Sequence, residues 1–176
     1  MKIVDKLKSR GIQPGLETVT ELLKRLGNPQ LSYRSVHVAG TNGKGSMSAM
    51  LSEMLVRSGY KTALYTSPHL HRFSERVVVN REEAPESDLE RLEEEVNKAA
   101  IGLEPTYFEF TTAMAFMYFA EKRPDIAIIE VGLGGRLDAT NLVDTAVAAI
   151  TPLSIDHPEF LGATIRDMAF EKAGII

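Results

Sequence analysis

The segment Ser35-Val36-His37-Val38-Ala39-Gly40-Thr41-Asn42-Gly43-Lys44-Gly45-Ser46 has the residue types from which a phosphate site can be built. An alternating apolar run enters a glycine-rich turn that carries one lysine. Backbone N–H groups close around an anion only where side chains do not intrude, so Gly40, Gly43 and Gly45 keep the amides of the turn open. Lys44 adds the positive charge, and Ser46 a hydroxyl suited to a metal ion. The residues from Met47 to Leu55 have helical periodicity and end near Gly59, so the turn opens onto a helix N-terminus whose dipole favours phosphate. The spacing departs from the common G-x-x-x-x-G-K-[ST] pattern. Val38 occupies the first glycine position, and the hydroxyl follows the lysine by two residues instead of one. A glycine-rich hairpin with a solvated lysine is the competing reading, and the strand and helix on either side argue against it.

Two further strand ends carry candidate chemistry. Glu130 closes the most apolar run of the chain, Ile126-Ala127-Ile128-Ile129, and is followed by Val131-Gly132-Leu133-Gly134-Gly135. A carboxylate in that position is costly unless something positive meets it, and α/β sheets bind ligands at the C-terminal ends of their strands. Metal ligation is the natural offset; a buried arginine or a helix terminus is the alternative. A dinucleotide fingerprint at Gly132-Leu133-Gly134-Gly135-Arg136-Leu137 fails, because its sixth position is leucine and no helix opens there. The third end is Ile150-Thr151-Pro152-Leu153-Ser154-Ile155-Asp156-His157. Alone, His157 reads as a structural histidine; with Glu130 and the glycine-rich turn at the same sheet edge, three strand ends converge on one cleft. Lys172 lies near the end of a helix that Thr164 and Asp167 are placed to cap, where a lysine is favoured by the dipole in any case.

The elements that must hold these residues follow from period and punctuation. Leu16 to Leu26 reads as an amphipathic helix stopped by Gly27-Asn28-Pro29, and Lys61 to Tyr65 as a short strand. Val77-Val78-Val79 is expected to be extended and Asn80 to Pro85 a turn. Ser87 and Glu90 suggest a capping box for a helix to about Ala100 whose Glu93, Glu94 and Glu95 face solvent. Thr111 to Lys122 is a more apolar helix. The runs Ile126 to Ile129 and Ala146 to Ile150 read as strands covered by helices on both faces. The fold class is α/β, a largely parallel sheet flanked by helices and resembling phosphate-loop NTPases.

Composition narrows the function. The 176 residues suit one domain with a real core, at 44% apolar and 25% charged residues. A net charge of −4 without a basic or aromatic stripe gives no reason to expect nucleic acid as a partner. No apolar run approaches membrane-spanning length and no leader follows Met1, so neither a membrane nor secretion is expected, and a cytoplasmic location is. With no cysteine, thiolate catalysis, thiolate metal sites and disulfides are excluded.

Taken in order along the chain, the motifs resemble those of folylpolyglutamate and dihydrofolate synthases, a family of the Mur ligase superfamily. They are Gly27-Asn28-Pro29-Gln30, the glycine-rich turn, Thr66-Ser67-Pro68-His69-Leu70 with Arg72-Phe73 and Glu75-Arg76, Tyr107-Phe108-Glu109-Phe110, Glu130 to Asn141, Asp156-His157 and Glu171-Lys172-Ala173-Gly174. The resemblance implies ATP at Gly40, Thr41, Asn42, Gly43, Lys44, Gly45 and Ser46. It implies magnesium at Ser67, Glu130 and His157, with Ser46 near the nucleotide-bound ion, and a carbamylated Lys172 as an anionic metal ligand. Lys44, Glu130, His157 and Lys172 are its catalytic set. Folate contacts fall at Tyr107, Phe108, Glu109, Leu137, Asp138 and Ala139, with Ile12 to Pro14 nearby. Thr18 and Pro158 depart from the family's usual arginine and threonine without touching this chemistry. His71 is not part of the family's metal site, and His69 and His71 are read as loop residues.

The reaction implied is carboxylate activation: the γ-phosphoryl group of ATP passes to a carboxylate of dihydropteroate or a folate, and the amine of L-glutamate displaces phosphate from the acyl phosphate. Positioning and charge neutralisation carry such a transfer, and no nucleophile motif is present. The family's enzymes are longer and monomeric, so the chain is expected to be the N-terminal part of the ATP-binding central domain, without the C-terminal glutamate ligase domain and inactive alone. The rival readings are a non-catalytic nucleotide- or folate-binding module and a small kinase. The arginine-rich lid of a kinase is not evident.

Overall fold

Largely apolar runs of four to seven residues form the four parallel strands, and longer runs the main helices, in a computed structural model that describes residues 1–176. The strands are β1 (Arg34–Ala39), β2 (Thr62–Tyr65), β3 (Val77–Val79), β4 (Glu82–Glu83), β5 (Ile126–Glu130) and β6 (Asp144–Ile150). The helices are α1 (Lys2–Leu7), α2 (Glu17–Arg25), α3 (Lys44–Arg57), α4 (Glu86–Ala99), α5 (Tyr107–Lys122), α6 (Pro158–Leu161) and α7 (Ile165–Ala173). All six strands share one sheet of order β4-β3-β2-β5-β1-β6. The run β2-β5-β1-β6 is parallel, and β3 and β4 add an antiparallel margin.

Strand parity sorts the two faces. On one, Val36, Val38 and Ile128 pack against Met47, Leu51 and Leu55 of α3. On the other, Ala63, Tyr65, Ala127 and Ile129 join the main core of 25 buried residues, which α1, α2, α4 and α5 cover. Phe110, Phe116 and Phe119 of α5 are almost wholly inaccessible, so burial of that helix is a main source of stability.

Several elements differ from expectation. α5 starts at Tyr107, a turn before Thr111, because Thr106 caps it: its hydroxyl accepts from Glu109 N–H at 3.2 Å, and Glu109 Oε2 accepts from Thr106 N–H at 2.7 Å. Two aromatic residues, Tyr107 and Phe108, stand between the partners of that box. The box expected at Ser87 and Glu90 does not form, since α4 begins a residue earlier at Glu86, behind Pro85 and without a side-chain cap. Glu93 is not on a solvated face: it is 6% exposed, and its Oε1 accepts from the N–H groups of Ile3 and Val4, closing the N-terminus of α1. β4 lies inside the stretch expected to be a turn. β6 is not covered on both faces but is an edge strand with Val147 55% exposed. The capping box of Thr164 and Asp167 forms as expected.

Candidate nucleotide and substrate site

The parallel strands end at one edge, and the glycine-rich turn sits there between β1 and α3. Gly43 holds a positive φ of 86° as the residue before α3, and no side chain caps that helix. The helix therefore starts at Lys44 rather than after Ser46, and its first-turn amides, those of Lys44, Gly45 and Ser46, have no intrahelical acceptor. Lys44 folds back over the turn, its Nζ donating to the carbonyl of Gly40 at 3.1 Å and of Thr41 at 3.4 Å. Thr41 and Asn42 serve a second purpose. Thr41 N–H donates to the Pro152 carbonyl and its hydroxyl to the Ser154 carbonyl, while the Asn42 amide donates to Ser154 Oγ. The segment after β6 thus braces the turn. Gly40, at φ 142°, has no room for a Cβ against Thr151.

Glu130 shares the parity of Ile126 and Ile128 on β5, so its side chain emerges on the α3 face, below the opening of that helix. An ideal Cβ on Gly45 would stand 3.7 Å from Glu130 Oε1. Glu130 is 4% exposed, and its Oε2 accepts from Ser67 N–H at 3.0 Å. Burial raises its pKa, opposed by that hydrogen bond and by the charges of Lys44 and Arg76. One buried carboxylate beside Ser67 and the opening of α3 suits a hard divalent cation, which takes oxygen donors and usually few of them from protein; Ser46 is exposed on the first turn of that helix.

His157 comes from the loop after β6, in a left-handed conformation ahead of α6. It lines the same cavity as Lys44, Ser67 and Lys172, and its ring approaches only Asp156 at 3.7 Å and Glu159 at 3.4 Å. No hydrogen bond joins it to Glu130, and no three His, Asp or Glu side chains are grouped to hold an ion without help from other donors. Lys172 is 2% exposed on α7 without an ion-pair partner, and burial, then the charge of Lys44, lowers its pKa.

A cavity of about 570 Å³ opens beside these groups. Tyr107, Phe108 and Glu109, the first turn of α5, form one wall, Leu137, Asp138 and Ala139 another, and Ile12 to Pro14 reach its rim. Their side chains are not all free for a ligand. Glu109 is engaged in its capping box, and the methyl of Ala139 belongs to the main core. The Phe108 ring covers Gly132 so closely that no Cβ fits there.

Asp138 is buried, and burial raises its pKa; Oδ2 accepts from Leu133 N–H and Oδ1 from Thr140 N–H and the Thr140 hydroxyl. That hydroxyl accepts in turn from His37 Nε2–H at 2.8 Å. His37, fully buried on β1, is thereby fixed as the Nε2–H tautomer, with Nδ1 unpartnered and its pKa pushed down to about 4 by burial. A polar chain thus runs from the strand that launches the glycine-rich turn to the loop that walls the cavity. Nothing in the local residues marks it, since His37 sits in an ordinary strand alternation.

Comparison with known proteins fits this arrangement. Residues 38–176 match the Mur ligase middle domain. The dihydrofolate synthase/folylpolyglutamate synthase of Bacillus subtilis is 43% identical over 173 residues, covering 94% of this chain and 40% of that protein. E. coli FolC in complex with DHPP and ADP superposes with a TM-score of 0.94 at 42% identity, over 99% of this chain and 42% of its own. A bifunctional folylpolyglutamate synthase/dihydrofolate synthase with Mn, AMPPNP and L-glutamate bound gives 0.91 at 38% identity, over 98% and 42%. The chain spans about 40% of the length of these three relatives. Its matched domain and its glycine-rich turn, buried strand-end carboxylate and walled cavity agree: this chain belongs to the Mur ligase family, and the relatives it matches there are folylpolyglutamate and dihydrofolate synthases.

Proposed function

We propose that this chain is the nucleotide- and folate-binding part of an ATP-dependent ligase that joins L-glutamate to the carboxylate of a folate or of dihydropteroate through an acyl phosphate. The observation that carries the reading is the convergence, at one sheet edge, of a phosphate turn, a buried carboxylate on the same face and a substrate-sized cavity. The ligands of the related structures, ADP with DHPP and Mn with AMPPNP and L-glutamate, support it.

In this reading the first-turn amides of α3 and Lys44 hold the phosphates. Ser46, Ser67, Glu130 and His157 would hold magnesium, which when bound neutralises charge on the transferring phosphoryl group. Lys172 belongs to the same set as a carbamate: its amine, biased toward the neutral form by burial, adds to carbon dioxide and loses a proton, which leaves an anionic oxygen ligand. The cavity holds the folate or pterin body, and its walls keep the reacting carboxylate beside the nucleotide in near-attack geometry. The domain that presents L-glutamate is assigned to sequence outside this chain.

Titration calorimetry with ATP and magnesium tests the turn. Lys44→Ala removes charge-assisted phosphate contacts, and ATP affinity is expected to fall by about 1.5–3 kcal/mol for each one lost; equal affinity would remove the turn from the site. Phosphate release with dihydropteroate or tetrahydrofolate plus L-glutamate tests the division of labour. The 176-residue chain is expected to bind without turning over, and robust turnover would overturn that division.

A further inference from the structure

Arg76 ends the 3-10 turn Phe73–Arg76 and is only 6% exposed, yet no carboxylate pairs with it. Arg25, Arg57, Arg72, Arg81, Arg91 and Arg136 each meet a glutamate, and all six side chains are far more exposed. A buried guanidinium stays ionised at any ordinary pH, so its charge must be met by something. Within the chain it has only neutral partners. Nε donates to His69 Nδ1 at 2.7 Å, and the guanidinium carbon lies 5.5 Å from the centroid of the Tyr107 ring. The terminal nitrogens of the fork have no hydrogen bond within the chain.

A second observation points to the same place. The Tyr107 hydroxyl is buried and has no hydrogen-bond partner. Both residues line the 570 Å³ cavity, and the charge of Arg76 is felt at Glu130. Arg76 therefore lines this cavity within electrostatic reach of Glu130. A planar fork with free N–H donors matches a carboxylate bidentately, and a phenol can donate to a remaining lone pair.

We infer that Arg76 and the Tyr107 hydroxyl form the anion subsite of this cavity and receive the carboxylate of a ligand whose aromatic body fills it. Under the proposed function, on which this identification of the ligand rests, it is the carboxylate that ATP activates. Arg76 then neutralises that carboxylate, so that it can approach the phosphates, and orients its oxygen.

The test is calorimetric binding of pteroate and of its neutral carboxamide to the wild-type chain and to Arg76→Gln, Arg76→Lys and Tyr107→Phe, each checked for a cooperative thermal transition. The wild type is expected to prefer the carboxylate by about 10- to 100-fold, as one charge-assisted pair allows. Arg76→Gln should abolish that preference, Arg76→Lys should restore part of it, and Tyr107→Phe, which keeps the ring, should lower it severalfold. If Arg76→Gln weakens both ligands equally, Arg76 only shapes the cavity and the subsite is overturned, while the folate reading survives. If pteroate does not bind the wild type at all, the folate reading fails, and benzoate against benzamide decides the subsite. An Arg76-dependent preference for benzoate upholds the subsite, and its absence overturns it.

Discussion

At the scale of single residues, the chemistry lies in side chains whose ordinary solvation has been withdrawn. Glu130, Asp138, Lys172 and His37 all have their charged forms disfavoured first by burial. For His37 this becomes a stability prediction. The folded chain keeps the ring neutral down to about pH 4, whereas the unfolded chain takes up the proton near the ordinary value of 6.5. Unfolding therefore binds a proton between those limits. The contribution of His37 is complete above about pH 6.5, is lost as the pH falls toward 4, and amounts to on the order of 3 kcal/mol. Thermal unfolding followed across that window should show the decline, and His37→Gln should flatten it; an unchanged slope would refute the assignment. Lys44 and Glu130 were legible in the sequence because their meaning is local, a glycine-rich turn and a carboxylate ending an apolar strand. His37 was not, since its partner Thr140 is 103 positions away and only the folded sheet brings them together.

At the scale of elements, side chains borrowed from elsewhere decide where helices begin. Parallel strands and the helix after the phosphate turn were readable, because hydrophobic period and punctuation agree there. Helix starts were readable only where a local box spells them, as at Thr164 and Asp167; the cap that Glu93 supplies to α1 joins residues about 90 positions apart, which no local spelling shows. There a residue of α4 supplies the N-terminal cap of α1. Glu93→Ala leaves two amides of α1 unpaired and should cost roughly 1–3 kcal/mol. The urea midpoint measures the total, and amide exchange at Ile3 and Val4 should accelerate more than exchange in β5. Uniform acceleration across the chain would mean that α1 is not separately held.

At the scale of the whole molecule, the sheet is asymmetric. One margin, β3 and β4, is short and charged, and Arg72 and Arg81 tie it to glutamates. The other, β6, is long and presents Val147 and Ile150 to solvent. Unpaired strand edges with apolar side chains recruit other chains. Sedimentation velocity should therefore show concentration-dependent association of this chain, reduced by Val147→Lys with little loss of stability; association unaffected by that change would place the contact elsewhere. The misreading of β6 has the same origin. Its composition is that of a covered strand, but in this chain only Ala148 and Ala149 pack against neighbouring apolar clusters. The sheet also has two rims of unequal worth. The glycine-rich turn, Glu130, His157 and the cavity lie where the parallel strands end. Where they begin, Lys61 and Asp125 hold β2 and β5 together through backbone and side-chain hydrogen bonds, and Gly59 turns the chain with open space around it. A fluorescent reporter or an affinity handle spliced in at Gly59 would ride on the rim of the sheet opposite the proposed site.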